Sequence, residues 1–314
     1  MKSVNLVVGF TPYHALFAEA FMDNLSGPTY CFFTKRYPKQ DKARRRIGFT
    51  GYPFLSFLIY SIIVRWWILS GVKINLYFPH LCHVSSNYLA FSGHCKTLNV
   101  YEEGIANYYD AKKDVWEISF RKSLLGIMSG QPYRGYAGHV TGIDSVKVDT
   151  VLASMPDRVV SKDKIGRVIG VSLTSHGQDI QRSKNKILFL DQPLEISNED
   201  KRKLVNEFVL GVAPGSIVYY KPHHDCSSQY PGMVDLSKSD RELPAEVLLE
   251  KLEAGLVISF YSSALVNISR IFSDVDCCYL NAGPKLIYVN GEEVDIYRFL
   301  EGFGVKRYLE FSVA

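Results

Sequence analysis

The stretch that decides the fold is Val4-Asn5-Leu6-Val7-Val8-Gly9-Phe10, followed at once by Thr11-Pro12. A continuous apolar run of this kind is typical of a parallel strand that is covered on both faces. Thr11 can cap a helix, Pro12 suits a first helical position, and residues 13–24 are rich in helix formers. The stretch therefore predicts a strand and a helix that open an α/β fold.

The same alternation continues along the chain and then starts again. Further strands are predicted at 29–33, 74–78 and 97–101, and the second series has strands at 186–190, 216–220, 256–260 and 276–280 and helices at 201–210, 244–253, 263–272 and 294–303. Two series indicate two α/β units, because 314 residues exceed what one hydrophobic core usually serves. We predict domains at 1–165 and 166–314, with the charged stretch 157–185 as the connection.

The composition is that of a globular chain. With 47% hydrophobic and 22% charged residues, it has enough apolar surface to fold, which excludes wholesale disorder and a polytopic membrane protein. A formal net charge of +4 is too small to indicate nucleic acid as a partner. The six cysteines include no C-x-x-C pair, so we expect no disulfide framework, and no secretory signal opens the sequence, so we expect a cytoplasmic protein.

A basic run precedes an apolar helix in the first half of the chain. Residues 35–46 carry seven cations and the single acid Asp41, and residues 53–70 are almost wholly apolar or aromatic around Arg65. A charge near the centre of a membrane span costs about 2.5 to 3.5 kcal/mol, which argues against a spanning helix. Three interpretations stay open: a helix buried on the first sheet, peripheral contact of residues 35–70 with an anionic membrane, and an interface with an acidic glycan or another copy.

Three short polar segments follow predicted strands, where α/β sheets bind ligands. The first is Glu102-Glu103-Gly104, in which one carboxylate can act as a general base. The second is Lys221-Pro222-His223-His224, in which an imidazole can deliver a proton or neutralise a phosphate. The third is Ser262-Ser263, whose hydroxyls and backbone N–H groups can bind a phosphate at a helix start. Each segment also has an ordinary alternative. The acid pair can be a surface turn, the histidine segment a polar loop or a pair of metal ligands, and the serine pair a helix cap.

In this order and combination, the three segments resemble the bacterial sialyltransferases of the GT-B class, which include lipooligosaccharide, O-antigen and capsule sialyltransferases and polysialyltransferases. Leu190-Asp191-Gln192-Pro193-Leu194 and Thr11-Pro12 also look like segments of that group, so the resemblance touches most of the chain from residue 4 to 265. It implies an α/β GT-B fold, in which two Rossmann-like domains face an interdomain cleft. It also implies an acceptor-side first domain and a CMP-sugar-binding second domain, whose last helix can cross back.

The resemblance also implies roles for individual residues. Glu103 is expected to remove the acceptor proton, and His223 to protonate or stabilise the departing phosphate. The remaining donor-binding candidates are Ser262, Ser263, Lys221, Gln192 and His224. Glu102 is expected to be structural. His224 stands where the family usually has proline, so it is the reserve candidate for the catalytic histidine.

The implied function is inverting transfer of sialic acid from CMP-sialic acid to a galactose-terminated or sialylated cell-surface glycan, with an α-2,3 linkage expected. CMP carries a single phosphate, so no metal or other cofactor is expected, and the enzyme would be cytoplasmic with peripheral contact to the inner membrane. Asp274-Val275-Asp276 matches the Asp-x-Asp metal motif only superficially, because it adjoins a predicted strand. Two alternatives remain: a GT-B transferase with another nucleotide-sugar donor, and a noncatalytic module in which residues 35–70 bind a membrane surface or a polyanion.

Overall fold

The computed structural model describes residues 3–34, 44–48, 53–173, 181–223 and 230–308. It contains two compact units. The first comprises Met1–Leu173 and Tyr288–Gly291, and the second comprises Thr174–Ile287 and Glu292–Ala314. Each unit has its own sheet of parallel strands, so the predicted α/β class with two Rossmann-like units is confirmed.

The first unit is built on a seven-stranded parallel sheet. The strands of the whole unit, including two that lie outside this sheet, are β1 (Ser3–Gly9), β2 (Thr29–Phe33), β3 (Arg44–Arg46), β4 (Lys73–Phe78), β5 (Cys95–Tyr101), β6 (Lys112–Trp116), β7 (Tyr136–His139), β8 (Val148–Ala153) and β9 (Ile165–Gly170). Its helices are α1 (Pro12–Met22), α2 (Pro53–Leu69), α3 (Val84–Phe91) and α4 (Phe120–Met128). The main sheet has the order β3-β2-β1-β4-β5-β8-β9, and β6 and β7 form a separate antiparallel pair.

The second unit repeats this plan on six parallel strands. Its strands and helices are β10 (Ser183–Leu190), α5 (Asn198–Gly211), β11 (Ile217–Lys221), β12 (Val234–Asp235), α6 (Lys238–Arg241), α7 (Ala245–Leu252), β13 (Ala254–Ser259), α8 (Ser263–Ile271), β14 (Asp276–Tyr279), β15 (Leu286–Val289), β16 (Glu292–Asp295), α9 (Ile296–Glu301) and β17 (Lys306–Arg307). The main sheet has the order β12-β11-β10-β13-β14-β17, and β15 and β16 form a separate two-stranded sheet.

Both sheets reverse their strand order at the centre, between β1 and β4 in the first unit and between β10 and β13 in the second. Adjacent crossover connections leave in opposite directions at such a point and open a crevice at the carboxyl ends of the strands. The segments that follow these central strands and their neighbours are therefore the places to look for a ligand site in each unit.

The chain divides later than the sequence predicted. Residues 165–170 form β9, which pairs in parallel with β8, so they complete the first sheet and do not belong to a connection. The first unit accordingly extends to Leu173 and not to residue 165. The last helix, α9, groups with the second unit, and Tyr288–Gly291, at the end of β15 and in the turn after it, groups with the first unit.

Helix α2 has one buried and one exposed face. Phe57, Tyr60, Val64 and Trp67 recur at helical spacing and are buried, so the expected helix packed on the first sheet is confirmed for this face. Large apolar side chains on the other face are exposed. In the part of the chain that the structure describes, no helix has the length and apolar character to cross a membrane. Most of the basic run, residues 35–43, lies outside the described residues.

Candidate active site

The first unit presents Glu103 at the carboxyl end of β5. Tyr101, the last residue of that strand, donates a hydrogen bond from its hydroxyl to the main-chain oxygen of Val8 at 2.5 Å, which ties the end of β5 to the end of β1. Gly104 has a φ of 87°, a conformation that glycine adopts without strain. The Glu103 N–H donates to Oδ1 of Asn107 at 2.7 Å. The acid pair thus leaves the strand through a turn of fixed shape.

The two neighbouring acids have different surroundings. Glu102 is 1% exposed, and its carboxylate accepts hydrogen bonds from the hydroxyls of Tyr13 and Tyr108 and from the Ser154 N–H. Such a carboxylate is held in place by buried donors and is not presented to a ligand. The geometry therefore gives Glu102 the structural position expected for it, and leaves Glu103 as the acid that faces outward.

His14, which the sequence analysis did not single out, lies against Glu103. Its Nδ1 accepts hydrogen bonds from the N–H groups of Phe10 at 3.0 Å and Thr11 at 3.2 Å, as part of the capping box that starts α1. Since Nδ1 is an acceptor, the ring proton lies on Nε2. That nitrogen is 2.7 Å from Oε2 of Glu103. The helix cap therefore fixes both the tautomer and the orientation of the imidazole beside the carboxylate.

Two more histidines complete the surroundings of Glu103. His80 accepts a hydrogen bond at Nδ1 from the Cys82 N–H at 3.0 Å, and its Nε2 lies 3.7 Å from Oε2 of Glu103. His83 caps α3, and its ring stacks on Phe10 at a centroid distance of 4.1 Å. Burial is the main cause that lowers the pKa of His80, and it helps to lower the pKa of His83 to about 3. Both rings are therefore neutral near pH 7.

The charge state of Glu103 follows from these neighbours. Burial alone would raise the pKa of its carboxyl group, but His14 and His80 outweigh that effect and lower the pKa below its usual value. Its Oε2 is buried and lies 2.7 Å from Nε2 of His14, the ring nitrogen that carries the proton. The result is a carboxylate that is ionised near pH 7, as a general base requires.

A sequence signal for the histidines does exist. His14 follows β1, His80 follows β4, and Glu103 follows β5, and these three strands are neighbours in the sheet. Carboxyl ends of adjacent parallel strands lie at one edge, so polar residues shortly after each strand come together. The signal was missed because His14 lies inside a helix-forming stretch and His80 precedes a second one.

The second unit collects its polar segments at one edge of its own sheet. Lys221 ends β11 and Pro222-His223 follows it, Gln192 follows β10, and Ser262-Ser263 follows β13. These strands are neighbours in the order β11-β10-β13. Adjacent strands lie about 4.8 Å apart, so the ends of β11 and β13 are about 10 Å apart with Gln192 between them.

Gln192 and the serine pair form one connected structure. Oε1 of Gln192 accepts hydrogen bonds from the Tyr261 N–H at 2.9 Å and from Oγ of Ser259 at 3.3 Å. Ser262 caps α8, and its hydroxyl accepts a hydrogen bond from the Ala264 N–H at 3.2 Å. Gln192 therefore holds the loop that carries the helix start, and Ser262 fills the ordinary capping role as well as standing where an anion would bind.

The predicted histidine pair is described only in part. His223 is half-buried, and His224 lies outside the described residues. Nζ of Lys221 donates to the main-chain oxygen of Arg241 at 2.6 Å, and burial lowers the pKa of this amine. The amine of Lys221 is thus directed at the end of α6 in this structure. Its assignment to the donor site stays a prediction.

A buried ion pair supports this edge of the sheet. Nζ of Lys201 on α5 lies 2.6 Å from Oδ1 of Asp191 and also donates to the main-chain oxygen of Gln192 at 2.6 Å. Both side chains of the pair are almost fully buried, at 6% and 0% exposure. Oδ2 of Asp191 accepts a hydrogen bond from the Tyr220 hydroxyl at 2.8 Å. The pair fixes the segment that follows β10, and with it Gln192.

Lys201→Met is expected to lower the free energy of unfolding by about 3 to 5 kcal/mol, because it leaves the Asp191 carboxylate buried without its cation. The measurement is urea denaturation of the purified protein. Lys203→Met is the matched control: Lys203 lies on the exposed side of the same helix, so its loss should change stability by less than about 0.5 kcal/mol. Equal stability of the two variants would contradict a structural role for the pair.

The Asp-x-Asp segment is paired with cations. Asp274 contacts the guanidinium of Arg182, and Oδ2 of Asp276 lies 2.9 Å from Nζ of Lys184. Among the described residues, no group of three or more histidine, cysteine or acidic side chains is arranged to hold a metal ion. The segment is therefore an ion-paired entry to β14, and independence of metal stays a prediction.

A cavity of about 400 Å³ opens beside the end of β14, the strand next to β13. Tyr279, Asn281, Gly283, Pro284, Asp295, Tyr297, Arg298 and Glu301 line it. The rings of Tyr279 and Tyr297 stack at 4.6 Å, and the Tyr279 hydroxyl donates to Oε1 of Glu301 at 2.6 Å. Aromatic walls with a few polar groups suit a ring-shaped ligand that carries hydroxyl or amino groups.

Comparison with known proteins gives one family match. The model of a family described as alpha-2,8-polysialyltransferase matches residues 63–280, more than half of the chain. The matched region contains Glu103, Gln192, His223 and the serine pair, so the predicted resemblance is confirmed. No curated protein matches the chain significantly in sequence.

Several solved structures align with the chain over most of its length. The glycotransferase of kitacinnamycin is 10% identical, with a TM-score of 0.46, covering 98% of this chain and 86% of its own. A UGT transferase from Siraitia grosvenorii in complex with UDP is 12% identical, with a TM-score of 0.42 and coverage of 95% and 90%. A UDP-N-acetylglucosamine 2-epimerase from Listeria monocytogenes is 9% identical, with a TM-score of 0.45 and coverage of 90% and 80%. At these identities and TM-scores, the similarities carry no conclusion about the activity of this chain.

Proposed function

The chain belongs to the alpha-2,8-polysialyltransferase family, and on that premise we propose that it transfers sialic acid from CMP-sialic acid to a cell-surface glycan. Glycosyl transfer is the activity that the family match supports directly. The observation that carries the finer proposal is Glu103, an ionised and partly exposed carboxylate that a helix cap, two histidines and a glycine turn hold at the edge of the first sheet.

In the proposed reaction, Glu103 removes the proton from the acceptor hydroxyl as its oxygen attacks the anomeric carbon of sialic acid. The bond from that carbon to the phosphate oxygen breaks, and CMP leaves. Attack from the side opposite the phosphate inverts the anomeric centre and forms no covalent enzyme intermediate. Because His14 holds its ring proton on Nε2, it orients the carboxylate without taking the acceptor proton itself.

We assign the stabilisation of the departing phosphate to the second unit. His223 protonates it or neutralises its charge, and the Ser262 and Ser263 hydroxyls at the start of α8 donate to its oxygens. CMP has one phosphate, so these donors suffice without a divalent cation. The proposal assigns the acceptor to the sheet edge of the first unit and the donor to that of the second.

The proposed acceptor is a glycan that already ends in sialic acid. The family description names an α-2,8 linkage, and we propose that linkage in place of the α-2,3 linkage first expected. A galactose-terminated glycan is the other acceptor to test. We also propose that the protein is cytoplasmic, with peripheral contact to the inner membrane.

A comparison of CMP binding with UDP binding tests the donor assignment. The purified protein in EDTA is titrated with CMP and with UDP, and binding is followed by calorimetry. We expect CMP to bind and UDP to bind at least tenfold more weakly, a difference of about 1.4 kcal/mol. Preferential UDP binding, or CMP binding that requires a divalent cation, would favour a transferase with another donor.

His14→Asn is expected to move the acidic limb of the kcat/KM profile to higher pH. The asparagine oxygen can replace Nδ1 as acceptor for the Phe10 and Thr11 N–H groups, but no donor then reaches Glu103. Burial would then raise the pKa of Glu103 with less opposition, so the base is protonated, and activity is lost, at higher pH than in the wild type. A pH–rate profile from pH 4 to 8 measures this, and an unchanged limb in a folded variant would contradict the positioning role of His14.

A further inference from the structure

Helix α4 carries an exposed apolar stripe. Phe120 is 80% exposed and Met128 is 75% exposed, and Leu124 and Ile127 are also exposed. Positions 120, 124, 127 and 128 lie on one side of a helix. The only buried residue of this helix is Gly126, whose small surface faces Val84 and the main chain of Gln131. An amphipathic helix normally turns its apolar stripe inward, so this one faces a partner outside the unit.

Helix α2 presents a second apolar face in the same part of the unit. Ile62 and Trp66 are each 68% exposed and Leu69 is 84% exposed, and these residues surround the exposed Arg65 on one side of the helix. The Arg65 guanidinium rests on Gly130, two residues after the end of α4, where even a methyl group would collide with it. This contact joins the two faces into one surface, which we call the α2–α4 face.

The charges on the α2–α4 face have one sign. Neither helix contains an aspartate or glutamate, and Arg65 and Arg121 lie on or beside the apolar stripes. Basic groups around exposed apolar side chains match an anionic lipid surface. Two copies of the face would instead bring like charges together, which disfavours a self-interface.

We propose that the α2–α4 face docks on an anionic lipid bilayer, with the exposed side chains of both helices inserted at the interface and their cations on lipid headgroups. This extends the contact predicted from residues 35–70 to a second helix that the sequence analysis did not consider. Helix α4 also packs on the start of α3, since Gly126 faces Val84, and His83, which caps α3, lies beside the Glu103 site. Docking would therefore place the Glu103 site close to the membrane, where a lipid-anchored acceptor could reach it.

Vesicle sedimentation tests the proposal. The full chain is mixed with phosphatidylcholine vesicles, with or without phosphatidylglycerol, and pelleted at low and high salt. We expect binding to the vesicles that contain phosphatidylglycerol, weaker binding to phosphatidylcholine alone, and a decrease with salt. Leu69→Asp combined with Met128→Asp should reduce the bound fraction by about tenfold or more, since each change removes an inserted apolar side chain.

Leu210→Asp is the matched control. Leu210 is 85% exposed, like Leu69 at 84%, but it lies on α5 of the second unit, so its change should leave vesicle binding as it is. Circular dichroism confirms that the variants are folded. The proposal fails if the wild type does not bind anionic vesicles or if the double variant binds them equally well. A different result would also overturn it: the wild type does not bind vesicles, light scattering shows that it is a dimer, and the double variant is a monomer. A second copy of the chain would then cover the α2–α4 face.

Discussion

Glu103→Gln is expected to lower kcat for sialyl transfer by about 10² to 10⁴-fold, because the amide cannot accept the acceptor proton. The side chain keeps its size, and only the charge beside His14 and His80 is lost. The affinity for CMP should be unchanged, because we assign the nucleotide to the second unit. Steady-state kinetics together with calorimetric CMP titration measure both quantities.

Glu102→Gln is the matched control for that experiment. Glu102 accepts from three donors, and an amide group at the same place turns its own N–H toward one of them. We therefore expect a lower melting temperature for Glu102→Gln and an unchanged one for Glu103→Gln. Normal transfer by Glu103→Gln would show that another group is the base.

His223→Ala is expected to lower kcat/KM by about 10² to 10³-fold and to weaken CMP binding, because the departing phosphate loses a donor that stabilises its charge. His223 follows β11, whose neighbour β10 leads to Gln192, so its place at the sheet edge is set by the strand order. Initial rates at several CMP-sialic acid concentrations separate the effect on rate from the effect on affinity.

His224→Ala is the comparison for that change. It should retain most of the activity if His223 is the histidine that acts on the phosphate. A greater loss in His224→Ala than in His223→Ala would move the assignment by one residue.

The strands that the sequence predicted are those with continuous apolar runs. β1, β5, β10 and β13 begin and end within three residues of the predicted bounds, since buried parallel strands require such runs. β9 was missed because it is largely exposed at the edge of its sheet and includes Gly166, Arg167 and Gly170. β3 was missed because it consists of three arginines, and main-chain pairing with β2 makes it a strand whatever its side chains are.

The candidate site was predictable where residues next to each other in sequence carry the chemistry. The acid pair and the serine pair each follow a buried strand, and the structure places them at the carboxyl edges of the two sheets. His14 could not be found in this way, because its contact with Glu103 joins residues 89 positions apart and depends on β1 and β5 both flanking β4. The tautomer of His14 depends on the helix cap, which no spacing in the sequence reveals.

The most direct test of the account is transfer itself. Purified protein is incubated in EDTA with CMP-sialic acid and either an α-2,8-linked oligosialic acid or a galactoside, and products are analysed by mass spectrometry and by linkage analysis. The account predicts release of one CMP for each sialyl residue gained by the acceptor, with the anomeric centre inverted, and loss of both in Glu103→Gln. CMP release without growth of any acceptor, a retained anomeric centre, or sugar transfer from UDP-sugars alone would contradict it.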